Sequence, residues 1–224
     1  MSVSRAEWQR QVDELAVSLE RGEIEEAEWF AEMAGIFEAA YLAGESPRAQ
    51  SGFGGDEDRW EAGRRPIAAA IDRDGAFLDV GCASGHLLEC LVRWTPHRIE
   101  PYGLELAPGL AELARRRLSL WADRIFVGNA LTWDPPRRFE FVRTELVYVP
   151  AERRRAFVER LLADIVAPQG RLILCGYGSP RSGVHPDPVR AIARSYGFEP
   201  ELELDVEAPE GGGSIVELAV LRAP

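Results

Sequence analysis

Lysine is absent from this chain, and all 26 of its basic residues are arginine. An arginine-only set is most simply the mark of GC-rich codon usage, which points to a bacterial source rather than to a binding adaptation. Basic residues are also outnumbered by 37 acidic ones, and the net charge of −11 speaks against a large phosphate-binding surface and against nucleic acid as a partner. A small-molecule substrate is favoured. Cysteine is scarce and odd in number. Cys82, Cys90 and Cys175 lack paired CxxC spacing, so neither a disulfide framework nor a zinc site is indicated. A reducing, cytoplasmic setting fits that usage. No N-terminal apolar run resembles a signal peptide, and no stretch of about 20 apolar residues is present to span a membrane.

What is present is material for a folded enzyme-sized core. Apolar residues make up 46% of 224 positions and charged residues 28%, enough for one full α/β domain with an appendage and one active site.

The first 72 residues read as a helical cap. Ser4 and Glu7 form a capping box ahead of Trp8, Val12, Leu15 and Leu19 on one face, and Gly22 ends that helix. From Ile24 to Leu42 a second helix carries Ala27, Phe30, Ala34, Phe37 and Tyr41 on one face, widened by Trp29, Met33 and Ile36, so it should be well buried. The segment AGESPRAQSGFGGD, ending at Asp56, reads as a flexible loop that closes over a ligand or merely links helices, with Phe53 its only large apolar residue. A third helix, from Asp56 to Ile71, aligns Trp60, Arg64, Ile67 and Ile71 and should kink or restart at Pro66.

From residue 73 to the end the pattern alternates strands and helices, which implies βαβ units and a mostly parallel sheet. Strands are expected at Ala76 to Val80, Pro101 to Leu106, Arg124 to Val127, Phe139 to Val147 and Arg171 to Tyr177. Helices are expected at Gly85 to Trp94, Pro108 to Leu118, Ala151 to Ile165 and Pro188 to Ser195. No helix follows the third strand. Leu202, Leu204 and Val206 alternate with acids before the turn at Glu210 to Gly213 and the strand Ile215 to Leu221, a terminal antiparallel hairpin.

Three strand ends carry chemistry. The first, FLDVGCASGHLLECL, places Asp79, Gly81 and Gly85 around the small residues Cys82, Ala83 and Ser84, a backbone that a ligand can approach closely. Its G-x-x-x-G spacing is not the GxGxxG of dinucleotide sites. At the second, Glu105 in YGLELAP stands where a carboxylate accepts hydrogen bonds from both ribose hydroxyls. At the third, Gly128-Asn129-Ala130 sets an amide with donor and acceptor capacity among small neighbours, suited to the edge of adenine. In open α/β sheets these strand ends are adjacent.

Together DVGCASG, Glu105 and GNA resemble the class I (Rossmann-like) S-adenosylmethionine-dependent methyltransferase family, whose motifs are DxGxGxG, an acidic residue after the second strand, and GDA. The resemblance runs from about Asp74 to the C-terminus. Ala83 stands for the usual middle glycine and Asn129 for the usual aspartate. The family implies a doubly wound, seven-stranded, mostly parallel sheet with an antiparallel C-terminal hairpin, and S-adenosyl-L-methionine as cofactor. By the same resemblance Asp79 acts on the cofactor's amino group or its water. Gly81, Cys82, Ala83 and Gly85 border its methionine and ribose, Glu105 holds the ribose, Leu106 packs the adenine, and Asn129 with Ala130 binds its edge.

Methyl transfer asks mainly for alignment, because the sulfonium is already activated. In the family the loop after the fourth strand faces the transferred methyl. Here that loop offers Glu145 to orient or deprotonate an acceptor and Tyr148 to line the pocket or donate, against a capping Glu and a packing Tyr. His185, in SGVHPDP, is a loop imidazole that either reaches the pocket or is simply exposed. Arg64, a guanidinium on an apolar stripe, needs an anion: either the cofactor's methionine carboxylate or a neighbour such as Glu61. No metal site is expected. The family's Asn/Asp-Pro-Pro-Tyr motif is absent, which disfavours nucleobase and glutamine acceptors. The reading that follows is methyl transfer to oxygen, nitrogen or carbon of a small molecule. A non-catalytic scaffold that binds the cofactor and, less well supported, a nicotinamide-dependent oxidoreductase are the competing readings.

Overall fold

The computed structural model describes residues 5–52 and 56–224. Ser4 of the expected capping box and Phe53 lie outside the described residues, as does the side chain of Trp8. Helices α1 (Arg5–Glu20), α2 (Glu26–Leu42) and α3 (Glu57–Arg64) precede the sheet. Gly22, at φ 67°, ends the turn after α1 in the left-handed conformation that glycine adopts most readily. α3 stops where Pro66 removes a backbone donor, and Arg65–Ala70 continues as a tighter 3₁₀ turn.

Seven strands follow: β1 (Gly75–Val80), β2 (Ile99–Glu105), β3 (Ile125–Val127), β4 (Phe139–Glu145), β5 (Val166–Tyr177), β6 (Leu202–Glu207) and β7 (Ser214–Arg222). Their order is β3-β2-β1-β4-β5-β7-β6. The first five run parallel, while β7 is antiparallel to both β5 and β6. The chain therefore has the doubly wound sheet and terminal hairpin expected from the sequence. α4 (His86–Trp94), α5 (Pro108–Arg117), α6 (Arg154–Arg160) and α7 (Val189–Ser195) are the crossover helices. Strand order reverses at the β1–β4 junction, the place where open α/β sheets bind ligands beyond their carboxyl ends.

Strand alternation divides the core in two. Ala76, Leu78, Val80, Val142 and Leu172 pack on one face, with Trp29, Phe30 and Met33 of α2 and Phe157 of α6. Phe77, Phe141, Ile173 and Cys175 pack on the other, with Ile67 and with Leu88 and Leu91 of α4. The expected fourth strand ends two residues early, at Glu145, because Leu146–Tyr148 turns in a 3₁₀ step that brings Tyr148 back over the sheet end. The fifth begins at Val166, five residues earlier than expected. The expected helix from Ala151 to Ile165 is a 3₁₀ turn, α6 and a closing π turn.

Within the expected loop, Gln50 and Ser51 hydrogen-bond to the rest of the fold. Arg117 donates to both the Ser84 carbonyl and the Gln50 side chain, each at 3.0 Å, and the Trp60 indole donates to the Ser51 carbonyl. No described helix is long and apolar enough to cross a membrane.

Candidate active site

The β1–α4 turn is built from three left-handed residues at alternate positions: Gly81 (φ 78°), Ala83 (φ 46°) and Gly85 (φ 75°). The Gly81 and Cys82 amides both donate to the Leu104 carbonyl, which draws the turn onto the end of β2. Gly81 also has no room for a side chain, since a Cβ there would lie 2.4 Å from the Tyr148 ring. At Gly85 the obstacle is Leu118, 2.8 Å away. Ala83 is the exception, an alanine in a conformation that disfavours a Cβ. Its amide donates to Glu105 Oε2 at 2.7 Å, which helps fix the strained turn. The Cys82 side chain points away into the core, against Gly103, so only its backbone belongs to the site. Burial raises its thiol pKa well above the usual value.

Glu105 is almost wholly buried, and its other carboxylate oxygen accepts from the Ala107 amide at 3.0 Å. Burial pushes its carboxyl up, and the backbone donors pull it back. Each oxygen keeps a lone pair for a further donor. Beside it a narrow cavity is lined by Leu104, Leu106, Asn129 and Ala130 from the strand ends and by Phe30, Met33, Phe37 and Tyr41 from α2. Asn129 Oδ1 accepts from the Leu131 amide at 2.9 Å, an Asx turn that commits the acceptor and leaves the amide N–H groups for a ligand. Trp133 packs against Phe126 and Phe139.

A larger cavity adjoins the first, and Met33, Phe37, Tyr41, Gly81, Ala83 and Tyr148 line both. Its floor holds a buried ionic cluster centred on Arg143, a residue the sequence reading passed over. Arg143 Nη1 lies 3.2 Å from Asp79 Oδ1, and Nη2 is bonded to Glu145 Oε1. The Tyr148 hydroxyl donates to the same Glu145 oxygen at 2.6 Å. Glu145 is therefore not a free carboxylate, and Asp79 already has a cationic partner. The signal for Arg143 was available: a charge in FEFVRTEL, inside a strand packed on both faces, must be paired.

Arg64 lines this cavity without a carboxylate in ion-pair range among the described residues. Glu61 pairs with Arg65 instead. The Arg64 guanidinium stacks on Tyr177, 4.2 Å from the ring centroid, and lies 5.2 Å from the Trp60 ring. Arg143 approaches the same Tyr177 ring at 5.5 Å. His185 is exposed at the rim of the cavity. His86 is packed on Trp60 and paired with Glu89, outside both cavities. The structure brings Asp79, Gly81, Ala83, Arg64, Glu145, Tyr148 and His185 around one cavity, and Glu105, Leu106, Asn129 and Ala130 around its neighbour. The α2 side chains were missed as site residues because an apolar helical face reads as core whether it covers a sheet or a ligand. Tyr177 and Asp187 carry no motif and were also missed.

No protein-family model and no curated protein matches the chain. Solved structures do. NodS, an N-methyltransferase from Bradyrhizobium japonicum WM9 in complex with S-adenosyl-L-homocysteine, superposes with a TM-score of 0.62 over 84% of this chain and 96% of its own, at 16% identity. The 1,6-didemethyltoxoflavin-N1-methyltransferase of Burkholderia thailandensis, with bound 1,6-didemethyltoxoflavin and S-adenosylhomocysteine, does so with 0.62 over 89% and 91%, at 20% identity. The glycopeptide N-methyltransferase MtfA gives 0.57 over 73% and 95%, at 17% identity. The chain thus has the fold of class I S-adenosylmethionine-dependent methyltransferases.

Proposed function

We propose that this protein is an S-adenosyl-L-methionine-dependent methyltransferase that acts on a small molecule. The observation that carries the reading is Glu105. Its buried carboxylate is held by backbone N–H groups from the glycine turn and from the start of α5, and it lines a cavity walled by the strand ends and α2. Residues of this kind fit a ribose diol on Glu105, with adenine between Leu106 and α2 and its edge at Asn129. The donor character left on Asn129 suits a ring nitrogen. In the larger cavity Gly81 would border the methionine end of the cofactor, and Arg64 would hold its carboxylate. The bound cofactor supplies an activated methyl group, and the chain supplies alignment and exclusion of water under α2. Two of the similar structures, NodS and the toxoflavin enzyme, contain S-adenosylhomocysteine, which supports the cofactor assignment.

Glu145 serves this site by orienting rather than by taking a proton, because one of its oxygens is shared by Arg143 and Tyr148. Titration calorimetry with S-adenosylhomocysteine is the test. Binding with one site per chain is expected, and the absence of binding rejects the reading.

A further inference from the structure

We infer that Asp187, on the loop between β5 and α7, recognises the methyl acceptor, and that the acceptor presents an amine nitrogen to it. The inference rests on the methyltransferase reading above. It begins from the charges around the larger cavity, which are Arg59, Arg64, Asp79, Arg143, Glu145 and Asp187. Arg59 is paired with Glu210, and Arg143 with Asp79 and Glu145. Among the described residues two charges then remain without an ion pair, Arg64 and Asp187. Arg64 is assigned to the cofactor's carboxylate. Asp187 is left for the second ligand.

A second group points the same way. The Tyr177 hydroxyl is buried, lines the same cavity and has no hydrogen-bond partner. A buried polar group in that condition is costly unless a ligand or water completes it. The loop is held over Tyr177 through glycines on either side. A Cβ on Gly176 would fall 2.4 Å from the Asp187 carbonyl oxygen, and one on Gly178 would fall 2.5 Å from the Pro186 ring. That approach fixes the Asp187 backbone at the cavity wall.

The wall favours nitrogen over oxygen for an electrostatic reason. Burial pushes the Asp187 carboxyl up, Arg154 opposes it, and Glu145 adds to it. An alcohol or phenol would have to approach an anionic form beside the unpaired Asp187 carboxylate, which like charge disfavours. An amine attacks as a neutral base and gains positive charge as it reacts, which that carboxylate stabilises. The acceptor nitrogen forms its bond to the methyl carbon as the methyl–sulfur bond breaks, with that electron pair staying on sulfur. The nitrogen then loses one proton, which Asp187 takes and passes to water.

The test uses full-length protein saturated with S-adenosylhomocysteine and calorimetry with benzylamine, phenethylamine and tyramine, each paired with the alcohol of the same skeleton. Amines are expected to bind more tightly than their alcohols. Asp187→Asn should weaken amine binding about tenfold or more, the scale of a lost charged hydrogen bond, and leave S-adenosylhomocysteine affinity unchanged. Tyr177→Phe keeps the ring and the glycine packing, so it serves if Asp187→Asn does not fold. It should weaken the amines by a smaller factor, again with unchanged S-adenosylhomocysteine affinity. Equal affinity for amines and alcohols, no amine binding, or amine affinity indifferent to both substitutions overturns the inference while the methyltransferase reading stands. Failure of S-adenosylhomocysteine to bind the unmodified protein removes both.

Discussion

Asp79 and Arg143 are register partners across β1 and β4, and their side chains meet as an ion pair with a 3.2 Å contact in a nearly dry environment. The pair sits at the junction where strand order reverses, so the charge balance of the site is built into the sheet itself. Arg143 also holds Glu145, which makes one guanidinium responsible for two carboxylates, one buried and one partly exposed.

Arg143→Met should therefore cost about 3–5 kcal/mol of stability, the range for breaking a buried pair and stranding its partners. Arg143→Lys keeps the charge but not the forked geometry and should cost less. Urea denaturation of the three proteins measures the order. A loss below about 1 kcal/mol for the methionine variant would contradict the role given to the pair.

Asp79 predicts a pH dependence. Burial pushes its carboxyl up to about 7, against the opposing pull of Arg143. Below about pH 7 the native Asp79 is a neutral acid that accepts from Arg143, and the ion pair forms only above it, so between about pH 4 and 7 the native state holds a proton that the unfolded chain has given up. This group's contribution to stability is complete below about pH 4 and is lost as pH rises towards 7. A ligand ammonium near Asp79 favours the ionised form, so S-adenosylhomocysteine binding should release protons and tighten as pH rises through the same window. Calorimetry in two buffers of different ionisation enthalpy reads the release, and Asp79→Asn should abolish it. A wild-type affinity flat from about pH 5 to 8 would rule the linkage out.

Glu105→Gln should be nearly as damaging to cofactor binding as Glu105→Ala. Each Glu105 oxygen accepts from a backbone amide, Ala83 on one side and Ala107 on the other, so a side-chain NH₂ must face a donor in either orientation. A weakening of S-adenosylhomocysteine binding by about 10- to 100-fold is expected for both. A glutamine variant that binds like wild type would remove Glu105 from the ribose role.

Gly81→Ala should lower stability by about 2–4 kcal/mol, combining left-handed strain with overpacking. The new methyl would meet the Tyr148 ring, which cannot easily retreat because its hydroxyl is bonded to Glu145. Thermal unfolding gives the cost, and loss of the Tyr148–Glu145 contact should appear in a crystal structure of the variant.

Arg117→Ala should free residues 44–52 from the β1–α4 turn, since this side chain bonds both the Ser84 carbonyl and Gln50. Faster proteolytic nicking in that segment, with about 1–2 kcal/mol lost overall, is the expected result. An unchanged digestion pattern would show that the remaining contacts suffice.

The sequence by itself determined the sheet and its ligand-facing edge. Strand and helix periods, the terminal hairpin and the spacing from Asp79 through Glu105 to Asn129 are local patterns, and a doubly wound topology carries them to neighbouring strand ends. Glycine at 81 and 85 was legible for the same reason, because glycine adopts positive φ most readily and the β1–α4 turn uses it at both positions. Tertiary structure alone decided the partners. Whether Arg64 met Glu61 or stood open to a ligand depended on Tyr177, 113 positions away in the chain. That Glu145 shares its oxygen with Arg143 and Tyr148, that α2 roofs both cavities, and that Asp187 is left unpaired all arise from long-range packing. Charges and hydrogen-bond capacities are properties of residues, but whether they are already spent is a property of the fold.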